Sequence, residues 1–187
     1  MSQYYFDEET ANKAVKFIET HLTHTKGELA KKPFILQEYQ KEQIIKPLFG
    51  WKNKEDGSRK YRTAFIFLPR KNGKSTLAAA IILTLLYLDN EYGAEYYSAA
   101  NDKEQAKIVY GVVADMVRNN PKLESYVEIF KNSIVYNAQG SFYKAISRET
   151  STKHGFNTSA FIYDELHGMR DDGTENLWQV LETSTEA

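Results

Sequence analysis

Cysteine is missing from all 187 residues, which removes disulfides, thiolate zinc sites and cysteine nucleophiles at once. No excess of one charge is present either: 24 Lys and Arg stand against 25 Asp and Glu. Attraction to nucleic acid would therefore have to come from local basic patches rather than the net field. Ten glycines and four prolines leave no room for a collagen-like repeat. The longest apolar run, Leu77 to Leu88, is broken by Thr84 and falls short of the ~18 residues needed to span a bilayer. The first residues, Met1 to Glu9, carry neither a basic region nor an apolar stretch, so no signal peptide and no membrane partner are expected.

What is present suits one folded domain. The length fits roughly 100–200 residues per domain. With 42% hydrophobic residues, 13 Tyr, 10 Phe and 2 Trp, a core burying about 70% of the unfolded surface is within reach, and disorder is excluded.

Residues 1–62 read as a helical, polar amino-terminal segment of the same domain, and residues 63–187 as its α/β core. Ala11, Ala14, Val15, Phe17, Ile18 and Leu22 recur at helical spacing between Asp7 and His24. A second helix is expected from Gln37 to Phe49, and a loop from Gly50 to Lys60. Thr63 to Leu68 is short, continuous and apolar, as expected of a strand buried on both faces. Ser75 to Leu88 should form a helix buried nearly all round. Glu95 to Ala100 is the next strand candidate, followed by a helix to Arg118 with Asn101 or Asp102 as its cap. Strands are expected within Val127–Asn137, at Ser141–Ser147 and at Ser159–Asp164, then a helix from Asn176 to Leu181. This alternation predicts a mostly parallel sheet flanked by helices, with ligands at the carboxyl ends of the strands.

Two of those ends carry chemistry. Gly73, Lys74 and Ser75 lie between an apolar segment and a helix start, where free backbone N–H groups and the helix dipole hold phosphate. Lys74 would reach the β- and γ-phosphates of ATP, and the Ser75 hydroxyl would ligate Mg²⁺. The usual first glycine of a Walker A loop is replaced by Leu68. The second end is Phe161-Ile162-Tyr163-Asp164-Glu165, an apolar strand running into two carboxylates. There Asp164 would help hold Mg²⁺ and Glu165 would activate water. Arg70, inside the loop, is either an arginine finger supplied in cis or a surface ion-pair residue; Lys71 has a weaker claim. Asn72 and Thr76 complete the nucleotide-binding set.

The residues Leu68-Pro69-Arg70-Lys71-Asn72-Gly73-Lys74-Ser75 resemble the variant Walker A of tailed-bacteriophage terminase large subunits, which also lacks the first glycine. Pro33-Phe34-Ile35-Leu36 with Tyr39-Gln40 resembles that family's adenine-recognising glutamine motif, with Gln40 preferred as the adenine contact and Gln37 in reserve. Leu48-Phe49-Gly50-Trp51 and Arg59-Lys60-Tyr61-Arg62 resemble the lead into the loop. Ala99 to Ala106 resembles the motif after the following strand, and Tyr163-Asp164-Glu165-Leu166-His167 resembles the family's Walker B, with His167 a structural neighbour rather than a metal ligand.

The resemblance implies a P-loop NTPase-type fold and a ring-shaped homo-oligomeric motor in the host bacterial cytoplasm. Such a motor hydrolyses MgATP to drive double-stranded DNA into a procapsid, docked on a portal protein and guided by a small terminase subunit. It also implies a nuclease domain after residue 187, so nuclease activity is not expected here. The hydroxyls of Thr183, Ser184 and Thr185 are not expected to be the coupling motif, which should end a buried strand beyond this chain.

DNA or a neighbouring subunit would be met by Lys144, Arg148, Lys153 and His154, or by Lys52, Lys54, Arg59 and Lys60; each cluster reads equally as solvated surface. His21 and His24 are read as surface residues, and the glycosylation sequon at Asn157 is discarded. Two other functions fit the same motifs: a helicase-like DNA-dependent ATPase, and a nucleotide-gated binding module without useful hydrolysis.

Overall fold

The computed structural model describes residues 2–69, 72–100, 102–147, 156–164 and 177–185. The chain divides into two compact units, Met1–Lys74 and Ser75–Ala187.

The first unit contains β1 (Tyr4–Phe6), α1 (Glu8–His21), α2 (Glu38–Gln40), a π-helical turn at Lys41–Ile45, α3 (Lys46–Gly50) and β2 (Trp51–Asn53). Helix α1 starts where Asp7 caps it. The Asp7 carboxylate accepts from the Thr10 N–H at 2.9 Å and the Thr10 hydroxyl at 2.6 Å, and those two bonds hold its carboxyl below its ordinary value. Ala11, Ala14, Val15, Phe17 and Ile18 form the buried face, which packs on α3. Gly50 ends α3 at a close approach: a Cβ there would lie 2.6 Å from the Phe6 ring and 2.9 Å from the Ala11 Cβ. Strand β1 pairs antiparallel with β2, Phe6 opposite Trp51. The single helix expected over Gln37–Phe49 is interrupted by the π turn.

Thr63–Leu68 is the main correction. It is not a strand, and Phe65 and Phe67 are 75% and 83% exposed. An apolar pattern makes a buried strand only when neighbouring strands satisfy its N–H and C=O groups. Among the described residues no strand pairs with this segment.

The second unit contains α4 (Lys74–Leu88, its first residue shared with the first unit), β3 (Glu95–Ala100), α5 (Lys103–Arg118), α6 (Pro121–Glu124), β4 (Glu128–Ile129), β5 (Ser133–Tyr136), β6 (Ser141–Ser147), β7 (Thr158–Tyr163) and α7 (Leu177–Ser184). Its sheet runs β4-β5-β6-β3-β7. Strands β6, β3 and β7 are mutually parallel, whereas β4, β5 and β6 are antiparallel. The sheet is therefore mixed rather than mostly parallel. The turn between Tyr136 and Ser141 is too short for a crossover, so it can only join antiparallel neighbours.

Both faces of the sheet are covered. On one, Tyr143 shares a 2.7 Å hydrogen bond with the Ser98 hydroxyl and stacks on Tyr110 of α5. Burial pushes the Tyr143 phenol well above its ordinary value, so it stays neutral. On the other, Tyr97, Ala99 and Ile146 pack against Leu177 and Leu181 of α7. Helix α4 is buried almost all round, from Leu77 to Leu86, as its composition required. Its one polar interior hydroxyl, on Thr84, donates to the Ala80 carbonyl at 2.7 Å.

Candidate nucleotide site

The lysine loop ends on a left-handed residue: Gly73 has φ +72° and opens directly into α4 at Lys74. Nothing lies within 4 Å of a Cβ built there, so backbone conformation rather than space calls for glycine. Ahead of it the Asn72 amide donates to the Pro69 carbonyl at 3.4 Å. Ser75 and Thr76 occupy the first turn of α4, half-buried. Arg70 and Lys71 lie outside the described residues.

Helix α4 then has only the residues 89–94 in which to reach β3. Tyr96 donates to the Asp89 carboxylate at 3.3 Å, Ser141 to the Glu91 carbonyl at 2.8 Å, and the Gly93 N–H to the Gln139 carbonyl at 2.8 Å. A connection so short turns the chain back on itself.

Asp164 lies at the carboxyl end of β3. Parallel pairing sets Tyr163 opposite Ala99, and the Asp164 N–H donates to the Ala99 carbonyl at 3.0 Å. The half-buried Asp164 side chain follows β7 directly. Asp102 is nearby in sequence to the end of β3 but is occupied as a cap, accepting from the Gln105 N–H at 2.8 Å. Glu165 and His167 lie outside the described residues. No group of three or more His, Asp or Glu suited to a metal occurs among the described residues. Magnesium in a nucleotide site does not require one, because phosphate and water supply most of its oxygens. The hydroxyl of Ser75 and the carboxylate of Asp164 are hard oxygen donors of the right kind.

In the first unit, Gln40 is 4% exposed, and its Oε1 accepts from the Gln37 N–H at 2.9 Å. Both candidate glutamines thus belong to one local turn. Tyr39, Gln43, Tyr61 and residues 63–68 are among those lining an open groove of about 540 Å³. Gln43, which the motif does not single out, faces this groove; Gln40 is not among its lining residues.

The basic clusters fare differently. The Lys60 ammonium sits 4.7 Å from the Trp51 ring and 5.3 and 5.1 Å from those of Tyr4 and Tyr61, a cation–π cage. Lys52 pairs with Arg59 across a β-bridge, Lys54 is exposed, and Lys144 is exposed on β6. Arg148, Lys153 and His154 lie outside the described residues. His21 and His24 are not plain surface residues: they are half-buried against Phe17 and Phe34, at 5.5 and 5.1 Å. The Thr183 and Ser184 hydroxyls bond to α7's own carbonyls, Gln179 at 2.9 Å and Leu181 at 2.7 Å, so they end a helix, not a strand. No helix among the described residues is long and apolar enough to cross a membrane.

A mixed five-stranded sheet covered by helices defines the class of the chain as α/β. Residues 38–185 match the family model of the terminase large subunit ATPase domain, and the chain belongs to that family. It is 31% identical over 166 residues to the terminase large subunit of Enterobacteria phage HK97, covering 86% of this chain and 32% of that one. A terminase large subunit of Lactococcus phage p2 is 31% identical over 118 residues, 60% of this chain and 22% of that one. The crystal structure of the HK97 bacteriophage large terminase superposes with a TM-score of 0.79 at 27% identity, over 94% of this chain and 35% of that one. The chain thus spans about a third of the length of the HK97 relative.

Proposed function

We propose that this chain is the MgATP-hydrolysing part of a viral DNA-packaging motor, built as a P-loop NTPase. Residues 1–62 and the core at 63–187 serve one ATPase domain. Gly73, Lys74, Ser75 and Thr76 receive the phosphates with Asn72, Arg70 and Lys71 alongside, and Gln40 reads the base. Ser75 and Asp164 hold the Mg²⁺, which offsets phosphate charge when bound. Glu165 takes the proton of the attacking water, and Arg70 stabilises charge growing on the transferred group. In the intact motor the partners are double-stranded DNA, a portal protein, a small terminase subunit and further copies in a ring, within the host bacterial cytoplasm.

The observation that carries this reading is that a single family match begins at Glu38, just before Tyr39 and Gln40, and runs through the lysine loop and the acid-ended strand. The left-handed Gly73 directly before α4 and the Asp164 carboxylate directly after β7 support it as well. Glu165→Gln in the intact motor tests it: ATP should still bind while DNA-stimulated phosphate release falls at least about a hundredfold. Undiminished release would remove Glu165 from the chemistry.

A further inference from the structure

The glutamine motif is held from outside by one atom. Glu19, in the last two turns of α1, directs its Oε1 to the Leu36 N–H at 3.2 Å and to the Lys41 ammonium at 3.1 Å. Leu36 is the residue before Gln37 and Lys41 the residue after Gln40, so a single carboxylate oxygen closes both ends of the segment that carries the two candidate base-reading amides. Within that span the Gln37 N–H bonds to Gln40. Directly after it the backbone enters the π turn. A π turn is rarer than an α turn and is frequent at functional sites. A second ion pair, Glu42 with Lys46, bridges the turn itself. Glu19 and Lys41 side chains are both about a quarter exposed, which shields their contact from water more than a surface pair and raises its worth.

We propose that Glu19 is a positioning residue for nucleobase recognition: it touches no nucleotide, but it sets the position of the turn from which Gln40 reads the adenine of ATP. This rests on the ATP site proposed above. Nothing in the local sequence marks Glu19, which lies 17 positions before its main-chain partner.

The test separates base from phosphate recognition. The chain is titrated with MgATP, MgGTP and magnesium tripolyphosphate, with thermal melting alongside. Glu19→Ala should weaken ATP binding roughly tenfold, as expected for losing a charge-assisted bond, and narrow the preference for ATP over GTP. Tripolyphosphate binding should stay as in the parent chain. Glu19→Gln keeps an acceptor for the Leu36 N–H but drops the ion pair, and Lys41→Met does the same from the other side; both should fall between parent and Glu19→Ala. Equal losses for ATP and tripolyphosphate would make Glu19 a support of the fold alone and overturn the proposal, as would unchanged ATP binding in Glu19→Ala. Failure of the parent chain to bind ATP at all would instead remove the ATP site itself, and this inference with it.

Discussion

Three helices of this protein begin in two different ways. Helices α1 and α5 open on an aspartate whose carboxylate accepts from the N–H three residues on, Asp7 from Thr10 and Asp102 from Gln105. Helix α4 opens on Gly73, which has no side chain to offer. A helix start leaves several N–H groups without intrahelical partners and carries partial positive charge. Where an aspartate answers that charge, the helix is stabilised and the end is closed to other anions. Where glycine stands, no side chain of the capping residue competes for that charge, and helix starts of this kind are common anion sites in proteins. The contrast gives two helix starts a stabilising cap and fits the phosphate-binding role proposed for the third.

The sharpest way to break that contrast is to give α4 an aspartate. Gly73→Asp places a carboxylate where a phosphate would sit, and it should weaken ATP binding at least about a hundredfold by occupancy and repulsion. Because Gly73 has φ +72°, any side chain also strains the backbone, by roughly 1–2 kcal/mol. Gly73→Ala carries that strain without the charge and is the control. Calorimetric titration should find Gly73→Ala the tighter binder; equal affinities would mean that no phosphate meets this helix end.

Much of this arrangement is legible in the residues. Glu95–Ala100 and Ser141–Ser147 form strands at the boundaries their composition suggests, and the apolar character of Leu77 to Leu88 alone identifies a buried helix. The turn at Gly73 and the carboxylate after Tyr163 also fall at a helix start and a strand end, as their spacing requires. What could not be read depends on partners remote in sequence. Thr63–Leu68 and Thr158–Tyr163 look alike as apolar runs, yet only the second finds a ladder, with β3. The antiparallel half of the sheet follows from a short turn rather than from any property of β5 and β6. The π turn has a local cause in Pro47, which has no N–H to offer the Gln43 carbonyl, whereas the Glu19 contact, 17 positions from its main-chain partner, has no local signature.

The contrast is sharpened from the other side at α5. Asp102→Ala removes a cap and should cost about 1 kcal/mol, seen as a melting temperature lower by roughly 2–4 °C for a chain of this size. ATP affinity should not change, although Asp102 follows the strand whose carboxyl end also receives Asp164. A loss of ATP binding without a loss of stability would show that this helix start too serves the ligand.

The smallest effect belongs to Asp7, and its pH dependence says why charge matters at a cap. Asparagine caps nearly as well as aspartate, so Asp7→Asn should cost only a few tenths of a kcal/mol at neutral pH, the share due to charge facing the helix dipole. Bonds from Thr10 hold the Asp7 carboxyl below its ordinary 3.8 in the folded chain. In the unfolded chain it binds its proton more readily, so its contribution is complete above that ordinary value and is lost as pH falls through the lower folded one. Denaturant unfolding of the parent and Asp7→Asn should therefore give a constant small difference above about pH 5 that shrinks towards about pH 2. A difference that stays constant across that range would mean the carboxylate's charge contributes nothing, and that Asp7 closes its helix by hydrogen bonding alone.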